Sequence, residues 1–225
     1  MGDVKTLLIV TGTQREGVLA AGQCGRGGQI LAGGGDGARL AEDLAQRAPQ
    51  ACGILSFGTC GGLLPGQAIG DMVIGERVIG AVNAACDSAW TQALSRALPQ
   101  ARRGAVFADG TLLATVAQKH AAAAQGAIIA DMESHLAAQA AQMHGLPFAI
   151  LRCISDAAEA ALPPAVAVAM QSNGRLAPGK ILVSILRHPG QLPALIRIGR
   201  GFSLSLAALD SGTCAAGPRF SFDQR

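Results

Sequence analysis

One α/β domain, with a central mixed, largely parallel β-sheet flanked by helices, is the architecture this sequence predicts, on three observations. Short runs of β-forming residues alternate with helix-length segments rich in Ala, Leu and Gln along most of the chain. Several of those runs end in glycine, as strands do where a ligand approaches the carboxyl edge of a sheet. The chain has 225 residues, half of them apolar, enough for one large buried core.

The elements follow in order. Strand-like runs lie at Thr6 to Val10, Gln29 to Ala32, Gly53 to Phe57, Asp71 to Ile79, Ala105 to Ala108, Ile128 to Ala130 and Phe148 to Ile154. Helices are predicted over Ala38 to Arg47, Ser88 to Leu98, Leu113 to Ala124 and Glu133 to His144. The last of these stops at Gly145, with Pro147 beyond it. Leu192 to Leu209 is strongly apolar around Arg197 and Arg200, and reads either as a closing helix packed on the sheet or as a basic helix at a bilayer surface. Residues 1–209 form the predicted domain, and 210–225, rich in Gly, Ser and isolated charges, read as a loose tail.

Only 15% of residues are charged, against roughly 25% in ordinary soluble domains. An apolar partner, a lipid or an oligomer interface would account for the difference. The net charge of +3 is small, the arginines are scattered and aromatics make up 3%, so no nucleic-acid partner is expected. The six cysteines form no Cys-x-x-Cys pair and the four histidines no ligand spacing, so neither a disulfide framework nor a metal is expected. The first apolar run is too short for a signal-peptide core, which predicts a cytoplasmic protein, with peripheral contact to the inner membrane face if Leu192 to Leu209 meets lipid.

Three segments carry chemistry: Gly58-Thr59-Cys60-Gly61-Gly62, Asp131-Met132-Glu133-Ser134 and Arg152-Cys153-Ile154-Ser155-Asp156. Singly, each has a plain structural reading as a turn, a helix-dipole partner or a helix cap. Together, in this order at strand ends, and with Gly70-Asp71-Met72-Val73-Ile74, they resemble the purine nucleoside phosphorylase and methylthioadenosine/adenosylhomocysteine nucleosidase superfamily. Within it, Asp131-Met132-Glu133-Ser134-His135, His144-Gly145-Leu146-Pro147-Phe148, Ala161-Leu162-Pro163-Pro164-Ala165 and Arg187-His188-Pro189-Gly190-Gln191-Leu192-Pro193 look like the hopanoid-associated phosphorylases. That resemblance implies release of adenine from adenosylhopane, a nucleoside with a pentacyclic triterpene on its ribose, and implies a homo-oligomer, such as a dimer. The alternatives are a soluble enzyme acting on methylthioadenosine, adenosylhomocysteine or another purine nucleoside, and a non-catalytic nucleoside- or lipid-binding module.

Breaking a ribosyl C–N bond passes through an oxocarbenium-like state and expels a poor leaving group unless the base is protonated. The resemblance implies Asp156 as the acid at purine N7, and an apolar enclosure would have to keep it protonated near neutral pH. It implies Glu133 as acceptor for the ribose hydroxyls, Met132 against the sugar, and Arg152 and Ser155 as supports for Asp156. Thr59, Cys60 and Gly61 match the loop near the scissile bond, and Leu112 and Leu113 fall near the segment flanking adenine. Phosphorylases of the superfamily use arginines in the first loop and before the Gly58 turn, whereas nucleosidases use a first-loop glutamate to activate water. This chain offers both Arg15 and Glu16, and has Ser56 at the second arginine position. Gly12, Arg15, Gly58 and Thr59 are therefore a site for phosphate or for water, inorganic phosphate being the one co-substrate considered; the hopanoid resemblance favours phosphate.

Overall fold

The computed structural model describes residues 6–24, 28–163, 165–166 and 187–223. Pro164 of the Ala161 to Ala165 motif lies outside them. The strands are β1 (Thr6–Thr11), β2 (Gly28–Ala32), β3 (Ala51–Gly62), β4 (Met72–Gly80), β5 (Ala84–Ala85), β6 (Arg102–Ala108), β7 (Ala127–Asp131) and β8 (Phe148–Asp156). The helices are α1 (Gln14–Cys24), α2 (Gly37–Arg47), α3 (Ser88–Ala97), α4 (Val116–Ala123), α5 (Ser134–His144) and α6 (Leu192–Ala216).

The sheet is mixed and largely parallel, as the alternation predicts. β1 pairs in parallel with β2 and β3, β3 with β8, β4 with β6, and β6 with β7. The antiparallel pairs are β3 with β7, β4 with β5, and β4 with β8. Pairings β3–β8–β4–β6–β7–β3 close a ring, because the long β3 runs beyond β1, whose pairing ends at Phe57, and joins β7 through Gly61 and Gly62 on that edge while Gly61 still pairs with Asp156 of β8 on the other. That closure brings the ends of β3, β7 and β8 together. Leu40 and Leu44 of α2 and Ala137, Ala138 and Ala141 of α5 pack on one side of the sheet. On the other, Ala20 of α1, Trp90 and Leu94 of α3 and Leu209 of α6 pack with Leu7, Ile9, Leu55 and Leu151.

Three expectations change. The segment after β1 is a helix, α1, which periodicity hides because its buried stripe is Glu16, Gly17, Ala20 and Cys24 rather than large apolar residues. Helix α4 begins at Val116, where Thr115 and Gln118 form a reciprocal capping box, so Leu113 precedes it in a loop. The loose tail is a correction: α6 runs on to Ala216, and Phe220 is fully buried. Phe220 stacks on Phe57 at 5.1 Å between ring centroids, and its carbonyl accepts the Trp90 indole N–H at 2.8 Å. Arg219, Phe220 and Ser221 all have positive φ, a sparsely populated conformation that this burial and hydrogen bond hold in place.

Candidate active site

The ends of β1, β3, β7 and β8 meet at two glycines. At Gly58, φ is +144°, and a Cβ there would stand 2.7 Å from Glu16 Cδ and 3.0 Å from Arg152 Nη1. Only glycine fits. A Cβ on Gly12 would lie 3.3 Å from Glu16 Oε2 and 3.4 Å from Glu133 Oε1, so both carboxylates converge on one point of the first loop.

Glu16 is 1% exposed. Its Oε1 accepts the Thr59 backbone N–H at 2.7 Å and the Thr59 hydroxyl at 2.8 Å, and its Oε2 accepts the Thr13 N–H at 2.6 Å. These are the loop donors that would otherwise face an anion. Arg15, one residue earlier, is exposed and makes no hydrogen bond or ion pair among the described residues, so the structure does not bring it into the expected phosphate site. Ser56 is fully buried and receives Arg152 Nη2–H at 2.7 Å.

Glu133 opens α5, whose first turn is held by Asp131: Oδ1 accepts the backbone N–H groups of Glu133 at 3.0 Å and Ser134 at 2.8 Å. Asp131 Oδ2 accepts the Ser134 hydroxyl at 2.5 Å and lies 3.0 Å from Arg152 Nε. Arg152, itself 1% exposed, also stands 3.7 Å from Glu133 Oε2. Burial pushes the Glu133 carboxyl up to about 7; Arg152 opposes that shift, and Asp131 and Glu16 add to it. Arg152 therefore supports Glu133 and Asp131 directly, whereas the sequence reading placed it behind Asp156.

Asp156 pairs in register with Gly61, whose missing Cβ leaves room at 3.2 Å from Asp156 Oδ2. Ser155 Oγ lies 3.0 Å from Asp156 Oδ1 and 3.1 Å from the Cys60 carbonyl, so its single proton serves one or the other. The apolar enclosure expected around Asp156 is replaced by an ion pair: Lys119 of α4 reaches its Oδ2 at 2.5 Å. The remaining Lys119 protons go to the carbonyls of Ala157 at 2.7 Å and Ala160 at 3.0 Å. No sequence signal marks Lys119, which looks like an ordinary surface lysine on an alanine-rich helix. Asp131 and Ser134 lie in a segment the sequence marks, and Ser56 at a position it singles out, but their contacts with one another and with Arg152 are visible only in the fold. Leu113, by contrast, joins the core cluster of Leu63, Phe107 and Ala130, and Leu112 is half-buried beside it.

Met132 and Glu133 line a cavity of about 330 Å³ that continues past Gly33, Gly35 and Leu136 to His135 and the start of α2. Burial pushes the His135 imidazole down, against the pull of Asp131 and Asp109. The arrangement offers a carboxylate with held donors (Glu16), a second for hydroxyls (Glu133), and a carboxylate beside an ammonium (Asp156).

Residues 8–187 match the model of the phosphorylase superfamily. No curated protein matches the chain in sequence. Among solved structures, the chain resembles the S-adenosylhomocysteine nucleosidase of Streptococcus pyogenes in complex with 5-methylthiotubericidin, with a TM-score of 0.64 at 16% identity over 94% of this chain and 97% of that one. It also resembles the futalosine hydrolase of Helicobacter pylori, with a TM-score of 0.68 at 11% identity over 94% and 97%. A third, the methylthioadenosine/adenosylhomocysteine nucleosidase of Colwellia psychrerythraea in complex with adenine, gives 0.62 at 14% identity over 93% and 95%. At these identities the likeness concerns the fold.

Proposed function

Since the chain belongs to the phosphorylase superfamily, we propose that it hydrolyses the N-glycosidic bond of a purine nucleoside and releases adenine, using water rather than phosphate. The observation that carries this reading is Glu16: one buried carboxylate takes the backbone N–H groups of both Thr13 and Thr59, leaving an anion few donors. A phosphate would meet a buried negative charge there, and Arg15 is not at hand to offset it. The names of the three solved relatives, two nucleosidases and a hydrolase, support the same choice.

In the proposed reaction, Glu133 accepts hydrogen bonds from the ribose 2′ and 3′ hydroxyls and its negative charge stabilises the oxocarbenium-like sugar. Glu16, with lone pairs left over after its three hydrogen bonds, takes a proton from water as the water oxygen bonds to C1′. The C1′–N9 electron pair stays with the purine, whose N7 takes a proton through Asp156; the Lys119 ammonium, hydrogen-bonded to Oδ2, supplies that proton to the carboxylate and recovers one from solvent.

For the nucleoside, we propose a large apolar substituent on the ribose, adenosylhopane being the one implied by the motif resemblance. Ala38, Leu40, Ala41 and Leu136 around the cavity beside Met132 support an apolar guest. The test is adenine release with phosphate present and absent, on an adenosylhopane analogue and on methylthioadenosine. We expect a sugar product that keeps its 5′ substituent and carries a free anomeric hydroxyl, turnover indifferent to phosphate, and a higher kcat/KM for the lipid-linked substrate. The corresponding sugar 1-phosphate as product would reject hydrolysis, and a preference for methylthioadenosine would reject the lipid.

A further inference from the structure

Between Glu159 and Asp210 the sequence has no acidic residue, but it has Arg175, Lys180, Arg187, Arg197 and Arg200. The chain's net charge of +3 is thus concentrated in fifty residues, and the part before them is net acidic. This asymmetry is invisible in the overall figure, and two of the five basic residues lie on helix α6, which exposes three large apolar side chains.

Helix α6 has two faces. Gly201, Ser205, Leu209, Gly212, Thr213 and Ala216 are buried against the sheet. Ser205 Oγ lies 2.6 Å from the Gly201 carbonyl of its own helix and 3.0 Å from that of Ile154, so its one proton serves one or the other, and a Cβ on Gly201 would stand 2.6 Å from the Ser155 carbonyl. The opposite face carries Leu192 at 46% exposure, Ile196 at 49% and Leu204 at 61%, interleaved with exposed Arg197 and Arg200. At 100° per residue, these five side chains share one side of the helix. By length and composition α6 could cross a membrane, but its inner face, with Ser205, Leu209 and Thr213 fully buried, holds it on the sheet.

We propose that this face of α6 docks on the surface of an anionic lipid bilayer. Apolar side chains flanked by arginines, with no carboxylate nearby in sequence, suit the headgroup boundary of a negatively charged leaflet. Basic residues are drawn to the negative surface potential of such a leaflet, so the two arginines and three large apolar residues act together. Because α6 touches Ser155, docking brings the strand end carrying Asp156 close to the lipid. The inference rests on the helix face and not on the identity of the nucleoside.

The experiment is flotation of the full chain with vesicles of phosphatidylcholine, alone or mixed with phosphatidylglycerol. The wild type is expected to float with the anionic vesicles and to be released by salt. Replacing Leu192, Ile196 and Leu204 by Ser, or Arg197 and Arg200 by Gln, is expected to weaken binding at least tenfold. Thermal melts should show the variants folded, and their adenine release from a soluble nucleoside should be unchanged. No flotation, flotation unaffected by the substitutions, or sedimentation showing that the triple Ser variant splits a dimer would each overturn the proposal. Loss of activity in the wild type itself would instead count against the hydrolase reading.

Discussion

Lys119 and Asp156, on helix α4 and strand β8, form an ion pair with Nζ 2.5 Å from Oδ2, the lysine buried and the carboxylate partly so. All three ammonium protons have acceptors, two of them the carbonyls just beyond Asp156, so the lysine fixes both the carboxylate and the backbone behind it. Lys119→Met is expected to lower kcat for adenine release on the order of 10², with a smaller change in KM, because the acid is misplaced rather than the sugar. Lys119→Arg should recover part of that loss. Steady-state kinetics across pH measures both, and an unchanged pH profile in Lys119→Met would limit the residue to a structural role.

Glu16→Gln separates water activation from architecture. The amide oxygen can still accept one of the loop N–H groups, but the amide nitrogen then faces another, at about 1–3 kcal/mol. Adenine release is expected to fall by about 10²–10⁴ while the protein stays folded. A variant that retains most activity would remove Glu16 from the reaction.

Glu133 makes stability depend on pH in a defined direction. Its folded-state value is raised from 4.5 to about 7, so in that window the native state holds a proton that the unfolded chain has lost. Its contribution therefore falls as pH rises from about 4.5 to 7 and stays low above that. Glu133→Gln should flatten this fall, read as a smaller difference between wild-type and variant melting curves at pH 5 than at pH 8. The opposite ordering would contradict the burial argument.

Phe220 tests the carboxyl-terminal segment. It is fully buried between Phe57 and the Trp90 region, so Phe220→Ala is expected to destabilise the fold by about 3–5 kcal/mol. Urea denaturation measures it, and a loss below about 0.5 kcal/mol, typical of exposed positions, would return the segment to the status of a tail.

The sequence by itself determined the class of fold and picked out two of the carboxylates on which the proposed reaction rests. Alternation of strand and helix patterns is local, and Gly12, Gly58 and Gly61 leave room for carboxylates, since a Cβ at each would meet Glu16, Glu133 or Asp156 within 3.5 Å. Glu133 and Asp156 were legible through motifs that sit whole at strand ends. What tertiary structure alone decided was partnership. Glu16 and Arg15 are neighbours in sequence, yet helical geometry turns one to the core and the other to solvent, which shifts the proposed nucleophile from phosphate to water. Lys119 and Asp156 are 37 residues apart and Arg152 and Ser56 are 96 apart. No periodicity links such pairs, because their contact depends on how β3 closes its ring onto β7 and where that closure leaves α4.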